Sequence, residues 1–396
     1  MAKIKAVNLT KIFGDHPQRA LKLLAQGMSK EDIYNQTGQA VGLANVSFEV
    51  YAGEILVVMG LSGSGKSTLI RCLNRLIDPT EGQLFIDGVD INTLDHDALL
   101  VLRRHKLGMV FQHFALFPHR TILENVEYGL EVQGIDLKKR REKAQEALKL
   151  VGLEGWGNAM PIQLSGGMQQ RVGLARALAV EPDILLMDEA FSALDPLIRG
   201  DMQHELISLQ NRMKKTIVFI THDLDEALKI GNRVVLMKDG YVVQVGTPEE
   251  ILTQPADDYV KRFVENVDKS KVLTAQSILR PVAIVAYAEE GPLSTLHKMR
   301  NEQVDPIFVV QRDNTFMGLV RAETVQVAVD RGDHTIEPII ETQIPRVLAT
   351  DTLDTFMSIF ADGFNSVPVV DSAHNTFQGM IVNSDVFAAL AKQRKH

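Results

Sequence analysis

The sequence predicts an α/β chain, a largely parallel sheet covered by helices, followed by a smaller α+β unit. Three observations carry that prediction. First, apolar runs that read as buried strands recur as "EILVVM", "DILLMDE" and "TIVFITH", each ending on glycine or polar residues before a helix-like stretch. Strands alternating with helices, with polar residues at the strand tips, indicate a parallel sheet whose site lies along one edge. Second, the glycine-rich turn "GLSGSGKST", Gly60 to Thr68, joins the first run to the helix-like "TLIRCLNRL". Third, "DPIFVVQRDNTFMGLVRAETV" from Asp305 and "SVPVVDSAHNTFQGMIVNSDV" from Ser366 repeat one pattern. In that alignment Asn314-Thr315-Phe316 matches Asn375-Thr376-Phe377, and Gly318 matches Gly379. Two copies of a strand–turn–strand–helix unit predict a pseudo-twofold regulatory or binding module.

The elements follow in chain order. "KIKAVNLTKIF" and "LANVSFEVYAGE" read as strands. Between them, "HPQRALKLLAQGMSKEDIYNQTG" has helical Leu/Ala spacing, and Ser29 to Asp32 ("SKED") is a capping-box-like start. This insertion reads as a surface helical hairpin and carries no assigned chemistry. After the parallel-sheet region, "KDGYVVQVGTPEEI" reads as a hairpin and then a helix. Composition shifts at "VENVDKSKV", which reads as a linker. The expected division is 1–268, with a helical subdomain at about 113–175, and 269–396, with repeats at about 272–330 and 332–393.

Composition narrows the class. The 396 residues are 45% hydrophobic and 23% charged, which is globular and long enough for two or three domains. Net charge is −8, so nucleic acid is not the expected partner. The single cysteine, Cys72, excludes an internal disulfide; it reads either as a core thiol or as a reactive one. "MAKIKAVNLTKIF" lacks the apolar core of a secretory signal, and no run is long enough to span a bilayer. A reducing, cytoplasmic location is expected.

"GLSGSGKST" matches the phosphate-binding pattern G-x-x-x-x-G-K-[ST] between a strand and a helix. Its glycines let backbone N–H groups wrap phosphates, Lys66 can reach the outer phosphates, and Ser67 can ligate Mg²⁺. "DILLMDE" puts Asp188 and Glu189 at a strand tip. Asp188 suits Mg²⁺ through water, and Glu189 suits general-base or water-positioning work. Gln112, in "GMVFQHF", reads either as a loop amide or as a Mg²⁺- or water-orienting group. His222, in "VFITHDLDEA", reads either as structural or as a γ-phosphate contact. "LSGGMQQR", Leu164 to Arg171, opens another helix with free backbone N–H groups that suit a phosphate.

In this order the motifs resemble the nucleotide-binding subunit of an ABC transporter. The resemblance covers residues 1 to about 265 and implies an ABC-type P-loop nucleotide-binding domain with a helical subdomain. It implies ATP and Mg²⁺ as cofactors, bound by Gly60, Ser62, Gly63, Ser64, Gly65, Lys66, Ser67 and Thr68. Ser67, Gln112 and Asp188 would hold the metal, Asp188 through water. Ser165, Gly166 and Gly167 correspond to the signature motif, and Ser192 to Asp195 ("SALD") to the D-loop. Glu189, Gln112 and His222 correspond to the catalytic groups. Phe13 takes the place of the aromatic that stacks on adenine, which is often tyrosine. The finer resemblance is to ATPase subunits of glycine betaine/proline betaine importers. It rests on the insertion with "GMSKEDIYNQTG", on "VVMGLSGSGKSTLIRCLNRLI", and on a C-terminal repeat that resembles a tandem CBS module.

This resemblance implies a head-to-tail dimer with two ATP sandwiched between a second copy's Ser165–Gly167 and this chain's Lys66, Ser67, Asp188 and Glu189. It further implies a membrane-spanning permease that docks near His113–Val126 and a substrate-binding protein reached indirectly. The location implied is the cytoplasmic face of the membrane. For the repeat it implies an adenine nucleotide or, across a dimer of modules, cyclic di-AMP. The pattern there is incomplete: Gly379 and Asp385 are present but Val382 replaces a threonine, and Gly318 is followed by Arg321 and Thr324. Ile307, Val309, Val367 and Val369 read as packing. The basic run Lys138, Lys139, Arg140, Arg141 and Lys143 reads either as a solvated helix face or as a contact for anionic lipid. Two alternatives stay open: an importer ATPase for another solute, such as methionine or a polyamine, and a soluble ABC ATPase outside transport.

Overall fold

The computed structural model describes residues 2–112, 115–192, 194–265, 267–282, 284–371 and 373–391. The chain divides into two units, Met1–Val267 and Asp268–His396.

The first unit opens with β1 (Ala2–Phe13), the helices α1 (Pro17–Ala25) and α2 (Lys30–Thr37), and β2 (Ala40–Tyr51). The Ser29 side chain caps α2 by accepting from the Asp32 N–H, and Gly38 ends the helix in the left-handed conformation. Ala20, Leu21, Leu24 and Ile33 bury the hairpin's apolar face against Ile12, Val41 and Ala44 of the two strands. The chain continues through β3 (Ile55–Met59), α3 (Lys66–Leu73), β4 (Glu81–Ile86), β5 (Val89–Asp90), α4 (His96–Lys106) and β6 (Leu107–Val110). Next come α5 (Ile122–Val132), α6 (Leu137–Leu150), α7 (Gly166–Ala179) and β7 (Ile184–Asp188). The unit ends with α8 (Pro196–Met213), β8 (Thr216–Thr221), α9 (Leu224–Ile230), β9 (Arg233–Lys238), β10 (Tyr241–Gly246), α10 (Pro248–Thr253) and α11 (Asp258–Phe263).

Two sheets form. One is antiparallel in the order β2-β1-β4-β5, and the other runs β10-β9-β3-β8-β7-β6. In the second, β9, β3, β8, β7 and β6 are parallel, and only β10 is antiparallel. Every residue of β3, β7 and β8 is buried, which explains their unbroken apolar runs: a parallel strand covered on both faces has no polar side to alternate. Leu56, Val58, Leu186, Val218 and Ile220 share one core with Leu9, Val46 and Leu84 of the antiparallel sheet. Cys72 lies in that core, and burial pushes its thiol up to about 12, so it is a packing residue with no thiolate at neutral pH.

The helices α5, α6 and α7 pack on one another. Thr121 and Glu124 close α5 with a reciprocal capping box. Four of the five basic groups in the α6 run, Lys139, Arg140, Arg141 and Lys143, lie beside carboxylates. Arg140 and Arg141 lie 3.1 and 3.4 Å from the buried carboxylate of Glu127, and Lys143 is 3.0 Å from Glu181. Lys139 sits 4.0 Å from Asp136. A charge already committed to a carboxylate has less to offer an anionic surface.

The second unit holds β11 (Ala286–Tyr287), α12 (Pro292–Glu302), β12 (Ile307–Val310), β13 (Phe316–Val320) and α13 (Ala322–Arg331). Its second copy of that pattern is β14 (Val347–Leu348), α14 (Leu353–Ala361), β15 (Ser366–Val370), β16 (Phe377–Val382) and α15 (Asn383–Ala391). The two three-stranded sheets have the same order and sense, β11-β12-β13 and β14-β15-β16. The repeated Asn-Thr-Phe triplet is where the copies meet. Asn314 Nδ2 donates to the Phe377 carbonyl at 2.7 Å, and Asn375 Nδ2 donates to the Phe316 carbonyl at 2.9 Å. The two phenylalanine rings stack with centroids 5.6 Å apart. Leu273 and Ala275, which precede the first copy, pack into the core of the second.

Candidate active site

Four parallel strands that are neighbours in the sheet deliver the site. β3 ends in the glycine turn, β8 in His222, β7 in Asp188 and Glu189, and β6 leads to Gln112. The turn is tight because the sheet edge crowds it. A Cβ on Gly60 would lie 2.2 Å from the Met237 carbonyl oxygen, and one on Gly65 2.5 Å from that of Gly42. Side chains are therefore excluded where backbone N–H groups must face a ligand. Lys66 folds back over the turn, its Nζ donating to the carbonyls of Gly60 and Leu61 at 2.8 and 3.1 Å. Burial holds its ammonium below the usual range, against the pull of Glu189 and Asp188. Ser67 Oγ donates to Asp188 Oδ1 at 3.3 Å. Burial raises the Asp188 carboxyl, opposed by that hydrogen bond. Ser64 Oγ is buried and has no hydrogen-bond partner among the described residues.

These residues fit a Mg²⁺–nucleotide. Magnesium takes one or two carboxylates together with phosphate oxygens and water, and Ser67 and Asp188 supply one hydroxyl and one carboxylate side by side. Among the described residues no group of three or more His, Cys, Asp or Glu forms an all-protein metal cage.

Glu189 is the meeting point of the other groups. Its Oε2 accepts from Gln112 Nε2 at 3.2 Å and lies 3.3 Å from His222 Nδ1. Gln112 Nε2 is also 3.4 Å from Ser192 Oγ, which itself donates to the Glu189 carbonyl at 2.9 Å. Glu189 has φ +45°, in the left-handed region that a branched-free but Cβ-bearing residue adopts at a cost. The turn after β7 thereby aims its carboxylate at the strand tips on either side.

Phe13 is 40% exposed at the end of β1 and presents a ring face. Lys11 Nζ is 5.3 Å from its centroid. A Cβ on Gly42 would approach the ring within 2.7 Å and Thr68 Cγ2 within 3.1 Å, so ring, glycine and phosphate turn are contiguous.

Ser165–Gly167 stand apart from this cluster. Ser165 caps α7 by accepting from the Met168 N–H at 3.4 Å. Among the described residues, no hydrogen bond, ion pair or ring contact joins Ser165, Gly166 or Gly167 to Gly60–Thr68, Asp188 or Glu189. Gly167 faces α8 instead, where a Cβ on it would sit 2.6 Å from Ile198 Cγ2. Asp195 caps α8 through the Ile198 N–H at 3.1 Å. Ala193 of "SALD" and His113 and Phe114 of the expected docking segment lie outside the described residues.

In the second unit, Gly318 and Gly379 serve chain packing. A Cβ on Gly379 would lie 2.4 Å from the Arg280 carbonyl oxygen, and one on Gly318 2.3 Å from that of Glu341. Asp385 is already engaged: Arg280 Nε donates to its Oδ1 at 2.7 Å, and its Oδ2 accepts from the Val382 N–H at 3.3 Å. Arg321 is matched by Glu341 at 3.0 Å. Ile307, Val309, Val367 and Val369 are core residues.

Sequence reasoning passed over Arg199, Asp223, Gln203 and Glu226, which form a polar row between α8 and α9. The available signal was the run of acids directly after His222 in "HDLDEA".

Residues 43–192 match the family model described as ABC transporter. A glycine betaine/carnitine transport ATP-binding protein of Listeria monocytogenes is 51% identical over 99% of this chain and 98% of its own length. A glycine betaine/proline betaine transport system ATP-binding protein of Salmonella typhimurium is 49% identical over 99% of this chain and 98% of its own length. The solved dimeric structure of MJ0796, a bacterial ABC transporter cassette, is 38% identical with a TM-score of 0.53. It covers 62% of this chain and 98% of that one.

Proposed function

We propose, from the premise that this chain belongs to the ABC transporter family as an ATP-binding subunit, that it powers import of glycine betaine or a related compatible solute. The observation that carries the catalytic part is the convergence of Gln112, His222 and Ser192 on Glu189 and its carbonyl, beside the Lys66–Ser67–Asp188 cluster. The solute class rests on the relatives' printed names, two of them about half identical over nearly their whole length.

In this reading the glycine turn and Lys66 grip the phosphates, and Phe13 stacks on the base. Ser67 and, through water, Asp188 would hold Mg²⁺, which would neutralise charge on the outer phosphates. Glu189 orients and deprotonates the attacking water, and His222 steadies the γ-phosphate. Ser165–Gly167 complete the site of a second copy; among the described residues no hydrogen bond or ion pair ties them to their own chain's phosphate turn. The MJ0796 cassette was solved as a dimer, and a related structure holds ADP and Pi after hydrolysis.

Closure does work only if a partner moves. A largely apolar groove of 620 Å³ is lined by Leu100, Phe111, Ala115, Phe117, Tyr128 and Val132, with Arg103, Arg104 and Arg176 also on its wall. Phe117 and Tyr128 pack at 4.7 Å between centroids, with Arg120 over both rings. It suits a short helix from a membrane-spanning subunit, placing this chain on the cytoplasmic face of the membrane. No helix among the described residues is long and apolar enough to cross it. The test is reconstitution with the co-purifying membrane subunit in vesicles. Glycine betaine or proline betaine is expected to stimulate ATP turnover. Stimulation by methionine or a polyamine instead overturns the solute assignment.

We read the second unit as a tandem CBS module that senses a ligand. The Arg280–Asp385 pair argues against a ribose grip by Asp385, and so favours a symmetric dinucleotide such as cyclic di-AMP across two modules. Calorimetric titration of the purified chain should give heat with cyclic di-AMP and little with AMP. Absence of heat with cyclic di-AMP, AMP and ATP alike removes ligand sensing from this unit.

A further inference from the structure

The first turn of α8 touches three parts of the site that catalysis must keep in step. Ile198 packs against Gly167 of the signature segment. Arg199 Nη2 donates to the Leu194 carbonyl at 3.0 Å, inside the D-loop. Its Nη1 donates to Asp223 Oδ2 at 3.2 Å. Asp223 is the residue directly after His222, and its other carboxylate oxygen, Oδ1, caps α9 by accepting from the Glu226 N–H at 3.2 Å. Asp223 is thus held from both sides, by a helix start and by a guanidinium. One turn along α8, Gln203 Nε2 donates to Glu226 Oε1 at 3.1 Å, and both side chains are buried. The result is a polar seam fastening α8 to the His222 turn.

We propose that Arg199 is a positioning residue: it transmits the placement of the signature and D-loop segments to His222, and so to the contact between His222 and Glu189. A guanidinium suits this because its fixed fork can bind a carbonyl and a carboxylate at once. Lysine would offer a point charge with neither direction set. Both bonds of Arg199 go to groups of its own chain, the Leu194 carbonyl and the Asp223 carboxylate, so its effect is on geometry. The His222 side chain is 58% exposed and lies 3.3 Å from Glu189, so its aim follows the backbone turn that Arg199 secures. The link also runs the other way. When a second copy presses on Ser165–Gly167, the displacement reaches Ile198 and Arg199 before it reaches the histidine. The inference rests on the hydrolytic reading of Glu189 and His222.

The test uses the full chain. Arg199→Ala is expected to lower kcat by about ten- to thirty-fold while KM for ATP changes by less than about two-fold, the signature of lost orientation. Amide exchange of Thr221–Glu226 should accelerate in the same variant. Arg199→Lys keeps the charge and should recover only part of kcat. In an Asp223→Asn background, Arg199→Ala should cost clearly less than it does alone, because the two act as a unit. The proposal is overturned if Arg199→Ala and Arg199→Lys both stay within two-fold of the parent kcat. It is equally overturned if their losses appear mainly in ATP affinity, or if the Arg199 and Asp223 effects simply add. Glu189→Gln in parallel separates the two ideas: if it is inactive while Arg199→Ala is not, only the positioning role fails.

Discussion

Glu189→Gln is expected to bind ATP and to lose at least about a hundred-fold in turnover, the scale of a missing general base. The substitution keeps size and shape. The amide oxygen can still accept one of the bonds from Gln112 and His222, so the strand-tip cluster should persist. What disappears is the basic lone pair that takes the water's proton, and with it about 2.7 kcal/mol or more of transition-state stabilisation. The ground state should gain. The Glu189 charge disfavours ionisation of Asp188 beside it, and a bound triphosphate brings more negative charge to the same place. Removing one carboxylate therefore tightens ATP binding and prolongs the closed dimer. Single-turnover hydrolysis and light scattering with ATP measure both halves. If most ATPase activity survives, Glu189 is not the catalytic base.

Gly166→Asp is expected to abolish ATP turnover while leaving ATP affinity of the isolated chain within about two-fold. A single-chain site gives no reason for that split, because among the described residues no hydrogen bond or ion pair joins the signature segment to its own phosphate turn. The start of α7 presents N–H groups that the helix cannot satisfy, which is where an anion binds. A carboxylate there repels the γ-phosphate arriving on a second copy. The capping bond from Met168 to Ser165 does not involve the Gly166 side-chain position, so the helix should still form. Combined with Glu189→Gln, the change should also prevent ATP-driven dimerisation. Loss of ATP affinity in the isolated chain, in step with the loss of turnover, would sink the shared-site reading.

Much of this site was legible because local chemistry constrains it. A phosphate cradle needs glycine where a Cβ would strike the Met237 carbonyl, and it needs a lysine and a hydroxyl just after. Strands buried on both faces announce themselves as apolar runs, and the polar residues at their tips are the ones that can react. The helical hairpin of α1 and α2 was visible in its Ser29 cap. The repeat in the second unit was visible as repeated letters.

Other features were decided by contacts between residues far apart in the chain. The basic run in α6 reads the same whether free or paired; only the packing of α5 on α6 brings Glu127 to Arg140 and Arg141. Gly379 and Asp385 look like ligand residues until the chain entering the first repeat lies across the second, with Arg280 against both. Arg199 carries no motif of its own, and it matters because α8 sets it between Leu194 and Asp223. By itself, then, the sequence determined the elements, the order of the strand-tip residues and the family. The tertiary structure alone decided which charges are spent on the chain's own partners and which remain for a ligand. The reason is physical: backbone conformation and periodicity act over a few residues, whereas an ion pair or a glycine's close approach depends on what folding brings within about 3 Å.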